Sequence, residues 1–509
     1  TGLEEANPGQ STGAGSGGDG GGGGNFGGSE NGGGPSTSSS PEVPDDTRAG
    51  GDGKQDPIDL SEGAGGDPVD CGGDHPTTPF FLSADDSNSM ASPVLAREWL
   101  NAGLAPDPTQ IRTYEFLNYY NAVYPLPDAA AGLLGVHANL QDLSASTTTG
   151  GRQYRLQIGV QAFEVPRVPL VVTFVVDTSG SLVGPGIERA REVLVAVADQ
   201  LEAGDIVNVA TWANEDSVVL EGYVASGDAS DGGALAKVVA NLLPGGGSNL
   251  HGGLVQGYKL ASDHFDAAKL NRVVLISDGG ANLGVLDRNV IADAASDANT
   301  AGIYLVGIGV GPAKGYSDNL MNLVTDAGRG AYVYLDDPAE AHDVFTTRWD
   351  EVMNVAAHDV KIELDLPPYL EIKDFYAEKY SPVESEIEPQ NLAPGDSMIL
   401  NQTLYATSAV SVCNDDILTV KVSWQTPLTH EDRSSPPLTM TLSQLLGQEL
   451  SPQMVKANAI IAYAEALKTG DPVALGSALT EVEAAFASTQ DEDLQAIAAL
   501  LALHPSLAK

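Results

Sequence analysis

PLVVTFVVDTSGS, residues 169–181, decides the fold. The run Pro169–Val176 lacks the apolar–polar alternation of a half-solvated strand, so it reads as a strand buried on both faces, as in a parallel sheet. It stops at Asp177, and hydroxyls follow at the alternate positions Ser179 and Ser181. Oxygen ligands spaced this way on a turn can converge on one hard cation such as Mg²⁺. GGGSNL at 245–250 adds a glycine-rich turn with a third hydroxyl, Ser248, and VVLISDG at 273–279 is a second buried strand ending in a second carboxylate, Asp278.

Around these pieces, apolar strands alternate with helical stretches. Strands are predicted at 171–176, 206–212, 218–224, 272–277, 303–309 and 331–335, and helices at 186–201, 234–242, 250–265, 288–301, 317–325 and 339–355. This alternation predicts an α/β domain, doubly wound around a mainly parallel sheet. Ligands of such sheets bind outside the carboxyl ends of the strands, near a topological switch point. Asp177 and Asp278 both stand at such ends.

Asp177, Ser179, Ser181, Ser248 and Asp278 form an all-oxygen donor set suited to Mg²⁺, or to Mn²⁺ or Ca²⁺. Asp-x-Ser-x-Ser alone would equally serve an Asx-turn or a helix N-cap. Three oxygen-bearing loops in order within one α/β pattern favour the metal. With few protein charges on it, the cation stays electrophilic and keeps a position for a partner's carboxylate. Enzyme readings find no support: there is no G-x-S-x-G elbow and no H-E-x-x-H, and the eight histidines are scattered without ligand spacing, only His251 falling near the proposed site.

Outside the central region the pattern changes. Alternating stretches at 133–142, 152–163, 360–366, 397–405 and 417–424 predict antiparallel strands with one solvated face. They flank the α/β region on both sides, so the simplest arrangement is a β-sandwich interrupted by it. Helices are predicted at 93–102 and 111–124, and three alanine-rich ones at 453–467, 473–486 and 491–503. Residues 1–70 hold 22 of the 58 glycines and 13 acidic residues against two basic ones. That composition cannot bury enough apolar surface to offset its ordering entropy, so a disordered spacer arm is expected, with order starting near Pro79. The expected divisions are 1–78 (Gly/Ser-rich acidic linker), 79–168 (helical region and first sandwich strands), 169–356 (α/β domain), 357–450 (rest of the sandwich) and 451–509 (C-terminal helices).

The formal net charge of −44 argues against nucleic acid or an anionic membrane surface as partner. The two cysteines, Cys71 and Cys413, can form one disulfide in an oxidising compartment or remain buried thiols; the sequence leaves both open. No apolar stretch is long enough to span a membrane. The chain starts at Thr1, which reads as a processed product; any signal peptide or lipid-bearing cysteine would lie upstream. Asn401-Gln402-Thr403 fits a glycosylation sequon, which is given no weight because a bacterial source is expected.

The central region resembles a bacterial von Willebrand factor A (VWA) domain with its metal-ion-dependent adhesion site. Asp177, Ser179 and Ser181 match the first motif, Asp278 in ISDGGAN matches the last, and Ser248 stands where the family usually has Thr. The segments FFLSADDSNSMASPVLAREWLNAGLAPDPTQIRTYEFLNYY and GYSDNLMNLVTDAGRGAYVYLDDPAEA resemble a bacterial family of VWA-domain lipoproteins, over roughly 79–505. The resemblance implies an envelope or surface location and binding of a protein ligand through the cation, without catalysis. The alternative is a self-associating scaffold subunit in which the metal is structural.

Overall fold

The computed structural model describes residues 71, 75–85, 88–122, 124–144, 152–299, 302–406 and 412–507. The acidic arm expected over 1–70 lies outside them.

Strands Leu170–Asp177 and Leu270–Ser277 are buried along their whole length, as the apolar runs that make up most of each require. They are the middle of a six-stranded sheet ordered Asp216–Val224, Ile206–Trp212, Leu170–Asp177, Leu270–Ser277, Ile303–Gly309, Tyr332–Tyr334. Only the Asp216–Val224 edge strand runs antiparallel. One face packs on helices Pro185–Ala198, Ala229–Ala240, Pro338–Phe345 and Trp349–Met353. The other packs on Leu250–Asp263, Arg288–Asn299 and Asp318–Gly328. From Leu170–Asp177 the chain first adds Ile206–Trp212 on one side and later Leu270–Ser277 on the other. The switch point therefore lies between the strands that end in Asp177 and Ser277.

Two antiparallel sheets share one core and form the sandwich. One has the order Lys379–Ser381, Thr78–Ser83, Ala357–Leu366, Ile417–Gln425, Asp432–Ser434, with Gln390–Leu392 and Leu438–Thr441 as further partners. The other runs Leu370–Phe375, Ser397–Ala406, Arg152–Gln161, Gly135–Asp142. Both mix strands from before and after the α/β region, which is thus inserted in the sandwich. A fourth core joins helices Ala91–Asn101 and Thr113–Tyr119 to Pro452–Thr469, Pro472–Thr489 and Glu492–Leu501.

Four expectations need correction. Order begins before Pro79: Cys71 is disulfide-bonded and a strand starts at Thr78. The helix expected over 111–124 spans only Thr113–Tyr119. The helix expected over 339–355 is two, broken at Thr346–Arg348. Strands Arg152–Gln161 and Ser397–Ala406 do not have a solvated face; nearly all their residues are buried, because helices cover the side turned away from the sandwich core. Gln157 there accepts from Tyr124 Oη (2.9 Å), and Gln161 Nε2 donates to the Gly395 carbonyl (2.7 Å). Asn401 is fully buried, which closes the sequon to any folded-state modification.

Candidate functional site

Register brings the carboxylates together. Val176 pairs with Ile276 across the switch point, so Asp177 stands level with Ser277, and Asp278 follows in the next loop. Asp177 is fully buried. Its Oδ1 accepts from Ser179 N (2.7 Å) and its Oδ2 from Ser277 Oγ (2.8 Å). Burial holds its pKa up to about 6; bonds from Ser179 and Ser277 pull down, and nearby Asp278 pushes further up. Neither Asp177 nor Asp278 is paired with a Lys or Arg among the described residues.

The hydroxyls come from the loops. Ser179 Oγ and Ser181 Oγ lie 3.0 Å apart, the first buried and the second exposed. Thr178 anchors the turn by donating its Oγ1 proton to the Trp212 carbonyl (2.8 Å). The glycine-rich turn is stitched alongside: Gly245 N donates to Thr178 O (2.8 Å) and Gly180 N to Gly246 O (3.0 Å). A Cβ on Gly180 would stand 3.0 Å from Gly246 O, and Gly246 has φ +84, so both positions favour glycine. Buried Ser248 donates its proton to the Gly280 carbonyl (2.6 Å), which ties this loop to that of Asp278; its oxygen accepts from Trp212 Nε1 at 3.4 Å and keeps a second lone pair for a ligand. Asp278 Oδ1 accepts from Gly280 N (2.9 Å).

Supporting residues carry no motif signal of their own. Ser277 accepts from Gly279 N (3.0 Å) while donating to Asp177. Asn282 Oδ1 accepts from Ser248 N (2.8 Å), and Asn214 Oδ1 from Gly247 N (2.7 Å). The Asn in GGAN, one residue beyond two glycines, is the one available hint. Asn249 caps the following helix, accepting from Gly252 N (3.2 Å).

These residues fit a hard divalent cation. The donors are all oxygen, two are carboxylates, and a buried anion lacks a cationic partner, whose natural complement is an ion rather than a side chain.

Cys71 and Cys413 are disulfide-bonded, 342 residues apart in sequence, which settles the pairing left open above. His75, Cys413 and Asp416 place potential ligand atoms within 4.8 Å of one another, but the sulfur is committed to Cys71. His75 Nδ1 lies 2.9 Å from Asp416 Oδ2, which also accepts from Tyr369 Oη (2.7 Å). Among the described residues no helix is long and apolar enough to cross a membrane.

Residues 172–347 match the family model of the von Willebrand factor type A domain, so the chain carries a domain of the interaction and adhesion class. Over 312 residues it is 27% identical to the uncharacterised protein YfbK of Escherichia coli, covering 59% of this chain and 52% of that one. It is 25% identical over 230 residues to the uncharacterised protein sll0103 of Synechocystis, covering 45% and 52% respectively. It is 23% identical over 198 residues to the inter-alpha-trypsin inhibitor heavy chain H1 of Sus scrofa, covering 38% of this chain and 22% of that one. The chain spans about half the length of the two bacterial relatives. A solved von Willebrand factor type A protein from Catenulispora acidiphila superposes with a TM-score of 0.47 at 15% identity, covering 74% of this chain and 90% of that one.

Proposed function

We propose that the chain is a metal-dependent protein-binding subunit of the bacterial envelope or surface, tethered or secreted. Asp177, Ser179, Ser181, Ser248 and Asp278 would hold the cation, Mg²⁺ or a similar ion. The ion would supply an electrophilic position for a carboxylate of a protein partner. The observation that carries this reading is the buried, doubly hydrogen-bonded Asp177 carboxylate without a cationic side chain, beside two serine hydroxyls at the switch point. The loops also present large apolar side chains to solvent: Val183 is 66% exposed, Leu243 75% and Leu283 40%. Apolar side chains around a polar centre suit a protein partner rather than a small polar ligand. The disulfide and the acidic composition suit an oxidising, extracytoplasmic compartment.

The test is capture of envelope proteins on immobilised full-length chain, with Mg²⁺, with chelator, and with Asp177→Ala. The expected result is a discrete protein set retained by the wild type with Mg²⁺ and lost in the other two conditions. The same set retained with chelator and by the variant would contradict the proposal.

A further inference from the structure

At the other end of the six-stranded sheet from Asp177, the strand starts meet the sandwich around a cavity of about 620 Å³. That volume is in the range of small-molecule sites. Two independent features set it apart.

The first is charge. Lys269, Arg272 and Arg329 line the cavity in a chain with only 25 basic residues and a net charge of −44. Arg272, level with Val172 and Tyr304 near the start of its strand, is 5% exposed. Its guanidinium lies 5.2 Å from the Tyr304 ring centroid and has no carboxylate or hydrogen-bond partner among the described residues. Burial pulls its pKa down to about 10. The one acidic lining residue, Asp359, is engaged elsewhere: it accepts from Arg329 Nη2 (2.6 Å) and lies 3.2 Å from His358 Nδ1. Arg272, a buried cation facing the cavity, has no share in that carboxylate and calls for an anion of its own.

The second is backbone conformation. Six non-glycine residues among those described have positive φ, and four of them line this cavity: Arg329 (+52), Asp359 (+49), Leu428 (+63) and His430 (+50). Arg329 closes a helix, where a left-handed residue is ordinary. Leu428 follows Pro427 in the tight turn joining Ile417–Gln425 to Asp432–Ser434, where the turn calls for a left-handed residue, but its side chain cannot make the local hydrogen bonds that ease Asn or Asp into this region. Strained positions cluster where a ligand must be held.

We propose that this cavity binds a small organic anion, a carboxylate or phosphate on an apolar body. The charged end sits on Arg272, and the body packs against Phe265, Leu270 and Leu428; Lys269 at the rim donates to the Gly204 carbonyl (2.7 Å). The site is separate from the cation site and does not depend on that reading.

The experiment is calorimetric titration of phenyl phosphate, benzoate and inorganic phosphate into the full-length chain, in low-salt buffer without competing anions. Saturable binding of phenyl phosphate or benzoate is expected. The stronger of these two identifies the headgroup, and inorganic phosphate, lacking the body, binds more weakly. Arg272→Met should weaken binding by about tenfold to a hundredfold, the loss of a charge-assisted hydrogen bond. Leu428→Gly is the second variant, because glycine adopts φ +63 without strain and the fold is kept. It should weaken the aromatic probes and leave inorganic phosphate unchanged. No saturable binding of the aromatic probes, or aromatic binding undiminished in either variant that folds, would overturn the proposal.

Discussion

Arg112 docks the N-terminal helices on the α/β domain through a buried triad, and removing it should be costly. Its Nη1 and Nη2 donate to Asp318 Oδ2 (2.6 Å) and Oδ1 (2.9 Å), and its Nε to Glu115 Oε1. Glu115 also accepts from Ser92 N (2.7 Å), and Asp318 from Tyr332 Oη (2.8 Å). Arg112, Glu115 and Asp318 are 6%, 0% and 3% exposed. Burial already raises the Glu115 pKa with Arg112 present. Arg112→Met would leave two buried carboxylates facing each other, and breaking a buried pair this way costs about 3–5 kcal/mol, against about 0–1 kcal/mol for a surface pair. The triple variant Arg112→Met, Glu115→Gln, Asp318→Asn keeps the acceptors and removes all charge, so it should cost clearly less. Urea unfolding followed by tryptophan fluorescence and circular dichroism measures both. The deficit of the single variant should also shrink as pH falls, because protonating either carboxylate relieves the repulsion. A single variant within about 1 kcal/mol of wild type would refute the reasoning, as would a triple variant costing as much as the single.

Three further outcomes follow from the packing. The disulfide closes a sequence separation of 342 residues, so Cys71→Ser or reductant should lower urea-unfolding stability by about 2–5 kcal/mol. A Cβ on Gly257 would meet Val175 Cγ2 at 2.2 Å. Gly257→Ala gains about 1 kcal/mol in helix propensity but loses about 1–3 kcal/mol to overpacking, so thermal melting should show net destabilisation, relieved by adding Val175→Ala. Burial pushes the Asp396 carboxyl well above the usual range, with Glu351 adding to the push. The folded state therefore holds this proton longer than the unfolded chain does, and the group's contribution to stability falls as pH rises from the ordinary carboxylate pKa through the raised one. Asp396→Asn, whose carbonyl can still accept from Asn121 Nδ2 and Ser397 N, should flatten that decline in unfolding curves taken across pH.

The α/β domain was legible because its strands are apolar runs. Those at Ile206–Trp212 and Ile303–Gly309 fall where the pattern puts them. The sandwich was legible only in its long strands. Lys379–Ser381, Gln390–Leu392 and Asp432–Ser434 are three residues each, too short to show a period. Gln157 and Asn401, level with each other on one face, look solvated but are buried, because covering helices arrive from elsewhere in the chain, a long-range effect that local alternation cannot encode. The same holds for the candidate sites. Each oxygen-bearing loop announces itself locally, whereas Ser277, Asn282 and Asn214 act only through neighbours brought by the fold. The cavity at Arg272 draws on residues from Phe265 to His430 and has no contiguous signature.

The central claim is that the loops after Val176, Gly247 and Ser277 hold a divalent cation. Calorimetric titration of Mg²⁺, Mn²⁺ and Ca²⁺ into chelator-stripped protein, beside Asp177→Ala, tests it most directly. The account predicts saturable one-site binding in the wild type that the variant loses while keeping its circular dichroism spectrum. Identical titrations for the two proteins would contradict it.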